Sequence, residues 1–288
     1  MADARARWLV ETDWLADHLD DPAVRVLDAT LVMAKDTAGN WQPSSGRASY
    51  DAAHIPGAQF VDLLNELFDP AAETNYMLPS ADDFAAKMSS LGISNDSRVV
   101  VYASAVPWWA TRLWWMFRVF GHDDVAVLNG GFGRWKAEGR PTTTDVPVPA
   151  ESGFQARYRA DLVADKDAVK RALPGGPTQV VNALSRQLFT GESDLGYARP
   201  GRIANSLNLS ALALVDKEGC YLPEADLQAA VTASGIGASN DVICYCGGGI
   251  AATMDAFALA LLGRENVSVY DASLHEWAAD ADLPMETG

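Results

Sequence analysis

The chain repeats itself, and this duplication constrains its fold more than any other feature. The first half carries Leu78-Pro79-Ser80-Ala81-Asp82-Asp83-Phe84, then Leu91-Gly92-Ile93, then the apolar run Val99-Val100-Val101-Tyr102. The second half carries Leu222-Pro223-Glu224-Ala225-Asp226-Leu227, then Ser234-Gly235-Ile236, then Val242-Ile243-Cys244-Tyr245. Each tyrosine is followed by a turn, a helical apolar stretch and a glycine, Gly121 or Gly263. Val125-Ala126-Val127-Leu128 then answers Val267-Ser268-Val269-Tyr270, and Asn129-Gly130-Gly131-Phe132-Gly133-Arg134-Trp135 answers Asp271-Ala272-Ser273-Leu274-His275-Glu276-Trp277. The paired tryptophans lie 142 residues apart, and Pro141 and Pro284 close the copies.

Short β-rich runs alternate with helical stretches, which predicts an α/β fold with a mainly parallel sheet flanked by helices in each of two tandem domains. Val24–Asp28 and Gln179–Asn182 read as further buried strands. Leu78–Leu91 and Leu222–Ala233 read as helices, with Pro near the first turn, acidic residues after it and Gly past the end. The run around Ala256–Leu262 suits a buried helix. Pro141-Thr142-Thr143-Thr144-Asp145-Val146-Pro147-Val148-Pro149 reads as an extended linker, because proline fixes φ and supplies no donor. The expected division is a first domain over 1–140, a linker over 141–153 and a second domain over 154–288.

Composition narrows the function. The 288 residues carry a formal net charge of −16, which argues against nucleic-acid or anionic-membrane partners. Three cysteines, Cys220, Cys244 and Cys246, are too few for a disulfide-stapled scaffold. No apolar signal core follows the first arginines, and no run reaches the ~18 residues of a membrane span. A soluble, cytoplasmic protein is expected.

Chemistry is expected where the copies differ. The first reads Tyr102-Ala103-Ser104-Ala105-Val106-Pro107-Trp108-Trp109 and the second Tyr245-Cys246-Gly247-Gly248-Gly249-Ile250-Ala251-Ala252, so Cys246 stands opposite Ala103. Three glycines let the backbone curl with its N–H groups inward, an anion nest, and a helix starting near Ala251 adds its positive end. A thiol in that setting is expected to have a lowered pKa. Cys244 reads as a core residue of the strand and Cys220 as incidental. Metal binding through Cys244-x-Cys246 lacks a second ligand pair at zinc spacing. A tyrosine-phosphatase-like loop would need an arginine where Ala252 stands.

These residues resemble the tandem-domain rhodaneses, the thiosulfate and 3-mercaptopyruvate sulfurtransferases. The resemblance rests on Asp51-Ala52-Ala53-His54-Ile55-Pro56-Gly57-Ala58, Trp114-Trp115-Met116-Phe117-Arg118-Val119-Phe120-Gly121-His122, Asn129-Gly130-Gly131, the Cys246 loop, and Tyr270-Asp271-Ala272-Ser273 with Trp277. It implies an inactive first domain and a catalytic second one. It also implies a two-step reaction without metal or organic cofactor, in which Cys246 takes the outer sulfur of a small anionic donor as a persulfide. The amides of Gly247, Gly248, Gly249, Ile250, Ala251 and Ala252 would hold the anion, and a thiol, cyanide or a thioredoxin-like protein would accept the sulfur.

The loop Cys-Gly-Gly-Gly-Ile-Ala is similar to the neutral Cys-Gly-Ser-Gly-Val-Thr of mercaptopyruvate-type members, and mercaptopyruvate-like donors are expected ahead of thiosulfate. Gly248 replaces that group's serine, a member of a proposed Ser/His/Asp relay whose histidine matches His54. The family's substrate arginine falls at Leu188, and His-Ile-Pro-Gly becomes Arg202-Ile203-Ala204-Asn205. Arg186, Arg199 or Arg202 could supply a carboxylate clamp from shifted positions. These losses also admit a divergent relay or binding module that takes persulfide sulfur from a partner protein. An inert structural protein is a third alternative.

Overall fold

The computed structural model describes residues 2–35, 41–104, 106–173, 175–238 and 241–288; Ala105, in the turn after Tyr102, lies outside them. Two five-stranded sheets, both wholly parallel, have the same strand order. In the first the order is Leu9–Val10, Val125–Leu128, Arg98–Tyr102, Val24–Asp28, Gln59–Phe60. In the second it is Val163–Ala164, Val267–Tyr270, Asp241–Tyr245, Thr178–Asn182, Leu207–Asn208. Helices cover both faces, so the central strands are buried on both sides and read as near-continuous apolar runs.

The two copies are built by the same local rules. Asp28 and Asn182 end matching strands, and each side-chain oxygen accepts the amide two residues on, Thr30 N and Leu184 N, both at 2.8 Å. Helix Ala81–Ser90 begins three residues after the expected start because Ser80 caps it, accepting the Asp83 amide. Its counterpart spans Glu224–Ala233 behind Pro223.

The domains meet about a pseudo-two-fold axis through helices Trp108–Val119 and Ala252–Leu261. The equivalent residues Thr111 and Thr253 touch hydroxyl to hydroxyl at 2.9 Å, and Trp114 packs edge-on against Phe257 at 4.8 Å. Both helices are buried almost all round, which explains why neither shows an amphipathic stripe. The contacts beside them are also paired. Leu78 N donates to Asp271 Oδ2 and Tyr221 N to Asn129 Oδ1, both at 2.9 Å. Thus the segment leading into each Leu-Pro reaches across to the strand end of the other copy.

The stretch after Pro141 forms no helix or named strand up to Ala160, and it stays on the first domain well past residue 154. Phe154 packs among Phe84, Phe117 and His122, and the Arg157 and Arg159 amides donate to Phe120 O and Val119 O. Conversely, Arg5 in the opening helix Ala2–Trp8 donates to the carbonyls of Tyr221 and Leu222. Among the described residues no helix is long and apolar enough to cross a membrane.

Candidate active site

Cys246 follows the last residue of the central strand of the second sheet, where a parallel sheet presents its carboxyl edge to ligands. It is 2% exposed and lies at the floor of the loop that runs into helix Ala252–Leu261. Among the described residues, the amides of Gly247, Gly248, Ile250, Ala251 and Ala252 have no protein acceptor. These are loop amides that a bound anion would meet.

Two amides of the loop are already engaged. Ser273 Oγ accepts the Cys246 amide at 3.0 Å and the Gly249 amide at 3.2 Å while donating to Tyr270 O at 2.7 Å. To do so Ser273 sits at φ +51°, a left-handed conformation costly for a side-chain-bearing residue. The equivalent position in the first copy is Gly131, at φ +52°. One copy keeps the relaxed glycine; the other tolerates strain and gains a hydroxyl that shapes the loop.

The first domain supplies a second brace. Arg112, on its buried helix, bonds Asp271 Oδ1, Tyr76 O and, at 3.3 Å, Gly249 O. The pair is nearly enclosed, with the Arg112 side chain 2% and that of Asp271 10% exposed. Tyr76 lies over Gly248 and meets Trp109 edge-on at 5.9 Å, so the tryptophan opposite the loop in the repeat supports the site indirectly. Tyr197 and His275 flank the other side. Burial raises the Tyr197 phenol above its ordinary value, and burial lowers His275 below its ordinary value, which favours the neutral imidazole.

The remaining predicted residues lie elsewhere. His54 is fully buried, with Nδ1 2.8 Å from Tyr50 O and Nε2 3.1 Å from Asp145 O, and it ties the linker to the first domain. Arg202 binds Glu286 at 3.2 Å and Gly288 O at 2.9 Å, and its guanidinium stacks on Phe189. Arg186 is exposed over the same ring. Arg199 is bound by four carbonyls between Trp277 and Leu283. Among the described residues, none of these four side chains makes a hydrogen bond, ion pair or ring contact with the loop from Cys246 to Ala252.

The His54 and Arg202 motifs do the same structural task. The Ile55 and Ile203 amides both donate to the phenol ending their central strand, Tyr102 or Tyr245, and the turn residues Gly57 and Asn205 both have positive φ. Asparagine tolerates that region, so the altered motif still makes the turn. Cys244 is fully buried in the strand, where burial pushes its thiol up. Cys220 sits half-buried 4.0 Å from Arg134, beside the turn at Gly130 of the first copy.

A family model for the rhodanese-like domain matches the chain twice, over residues 11–138 and 167–280. The chain belongs to the rhodanese family. Its relatives include thiosulfate/3-mercaptopyruvate sulfurtransferase 2 of Arabidopsis thaliana, 34% identical over 96% of this chain and 86% of that one. The sulfur carrier protein TtuD of Thermus thermophilus is 33% identical over 100% and 99%. The crystal structure of the 3-mercaptopyruvate sulfotransferase SseA from Escherichia coli superposes with a TM-score of 0.83, at 30% identity, over 92% of this chain and 98% of that one. In this rhodanese the polar groups around the loop come from Ser273, Arg112, Asp271, Tyr197 and His275; the sequence marks Asp271 and Ser273 as part of a family motif but assigns none of the five a role at the site. Ser273 left one legible signal: it replaces a Gly of the other copy.

Proposed function

We propose that this sulfurtransferase moves a sulfane sulfur from a 3-mercaptopyruvate-like donor, through a Cys246 persulfide, to a thiol or cyanide acceptor. In this reading the second domain, whose sheet begins at Val163–Ala164, carries the chemistry and the first copy buttresses it. Cys246 would attack the outer sulfur of the donor, and the free amides of Gly247, Gly248, Ile250, Ala251 and Ala252 would hold the resulting persulfide anion. The observation that carries the proposal is this set of unpartnered amides around a single thiol at a helix start.

The preference for a singly charged donor rests on electrostatics. Arg112, the one guanidinium in contact with the loop among the described residues, is committed to Asp271 and two carbonyls. Leu188 leaves no arginine at the family's clamp position. A dianion such as thiosulfate would therefore meet only neutral donors, on a chain of net charge −16. A cytoplasmic setting suits a site that depends on a reduced thiol.

Intact-mass measurement tests the proposal. Reduced protein incubated with 3-mercaptopyruvate is expected to gain one sulfur atom, on Cys246, and Cys246→Ser is expected to gain none. Failure of the wild type to load from either 3-mercaptopyruvate or thiosulfate overturns it. The likeness to a sulfur carrier protein supports a second reading, in which a partner protein's persulfide is the donor and a thioredoxin-like protein the acceptor. Loading from a protein persulfide but from neither small donor would select it.

A further inference from the structure

Two polar side chains, Tyr197 and His275, pack against Gly247 and Gly248, the residues that follow Cys246. A Cβ on Gly247 would run into the Tyr197 phenol oxygen, and one on Gly248 would lie 3.0 Å from His275 Nδ1 and 3.2 Å from its Cε1. The imidazole therefore fills the volume that a side chain at position 248 would take. It is held there because the His275 amide donates to Gly247 O at 2.9 Å. The two rings meet edge-on at 5.3 Å. Among the described residues neither the Tyr197 hydroxyl nor either His275 ring nitrogen has a hydrogen-bond partner. Two unpartnered polar groups packed over the residues next to a candidate nucleophile form a built subsite.

Resting on the sulfurtransferase reading above, we propose that His275 handles the proton of a thiol-bearing 2-oxo acid donor and that Tyr197 binds its 2-oxo oxygen. The reaction sets this requirement. When the Cys246 thiolate attacks the sulfur of HS–CH2–CO–CO2−, an S–S bond forms and the C–S bond breaks. The C–S electron pair stays on the carbon as the enolate of pyruvate. The donor's thiol proton must then travel from sulfur to that carbon, so that the products are the Cys246 persulfide anion and pyruvate. His275 takes this proton from sulfur and returns it to carbon, while the Tyr197 O–H donates to the oxygen on which the enolate charge develops. A neutral imidazole, which burial favours here, is the form able to accept the proton. Thiosulfate makes no such demand: the attack expels sulfite and moves no proton.

That contrast gives the test. His275→Gln keeps the size and polarity of the side chain but cannot carry the proton. It is expected to lower kcat with 3-mercaptopyruvate by about 100-fold, the middle of the range for general acid–base groups. KM should change little. Alkylation of Cys246 by iodoacetamide, a control for the integrity of the loop that needs no donated proton, should stay within about threefold of wild type. Tyr197→Phe is expected to lower kcat with 3-mercaptopyruvate by roughly tenfold or more. Normal turnover of 3-mercaptopyruvate by His275→Gln overturns the proposal. So does an equal loss in alkylation, which would mean that His275 merely shapes the loop. If wild-type protein loads from no small donor, the sulfurtransferase reading itself fails and takes this one with it. If the wild type loads and His275→Gln matches it, only the role of His275 fails.

Discussion

The interdomain pair Arg112–Asp271 should be the most sensitive point of the fold outside the sheets. Replacing Arg112 with Met removes donations to Asp271, to Tyr76 O and to Gly249 O at once. It leaves the Asp271 carboxylate, only 10% exposed, with the Leu78 amide as its remaining partner across the interface. Breaking a buried ion pair on one side costs about 3–5 kcal/mol, because the stranded charge keeps its desolvation penalty. At roughly 2–4 °C per kcal/mol for chains of this order of size, calorimetry should show a fall in Tm of about 10 °C. The repeat supplies a compensating change. Met254 and Asn129 stand where the other copy has Arg112 and Asp271, and Asn129 holds its side of the interface without a buried cation, through Glu11 and the Tyr221 amide. Adding Asp271→Asn to Arg112→Met should therefore recover more than half of the lost stability, read from urea midpoints at fixed pH. The reasoning is refuted if the single variant costs less than about 1 kcal/mol, or if the double variant is no more stable than the single.

Two further outcomes follow from buried groups. Ser273→Ala should leave the Cys246 and Gly249 amides without their acceptor, at about 1–3 kcal/mol each, and cut sulfur loading of Cys246 at least tenfold. Ser273→Gly should lose as much activity yet be the more stable by about 1 kcal/mol, since it relieves the strain at φ +51°; equal urea midpoints for the two variants would discount that strain. Asp255, fully buried in helix Ala252–Leu261 with neither carboxyl oxygen partnered among the described residues, has its pKa raised above 3.8 by burial. Its folded form thus holds a proton that the unfolded chain releases, so this contribution is complete below pH 3.8 and lost as pH rises through the folded value. Asp255→Leu should stabilise the protein at pH 7 by about 1 kcal/mol or more, with a smaller gain near pH 4; a pH-independent difference in urea midpoint would contradict this.

Much of the fold was legible because local rules write it twice. The strands Arg98–Tyr102 and Asp241–Tyr245 announce themselves as apolar runs, since a sheet covered on both faces needs apolar residues at every position. Helix starts were less legible: the first Leu-Pro helix waits for the Ser80 cap rather than beginning at the leucine. The turn motifs misled for a related reason. His54 and Arg202 look like polar site residues in sequence, but a residue beside a turn that anchors on a buried tyrosine can spend its polar atoms within its own domain, His54 on backbone carbonyls and Arg202 on Glu286 and the Gly288 carbonyl.

By itself the sequence determined the duplication, the parallel α/β architecture and the placing of one thiol beside three glycines at a strand end. Those are properties of neighbouring residues and of the spacing between them. Only the tertiary structure decided what surrounds that thiol. Arg112 and Tyr76 arrive from the first copy, Tyr197 from a loop of the second, and Ser273 and His275 from the short helix Ser273–Trp277 that follows an adjacent strand. No pattern along the chain records which distant segments a pseudo-two-fold axis will press together. That depends on two buried helices finding each other through Thr111 and Thr253, and packing of that kind is a property of surfaces, visible only once both copies are folded.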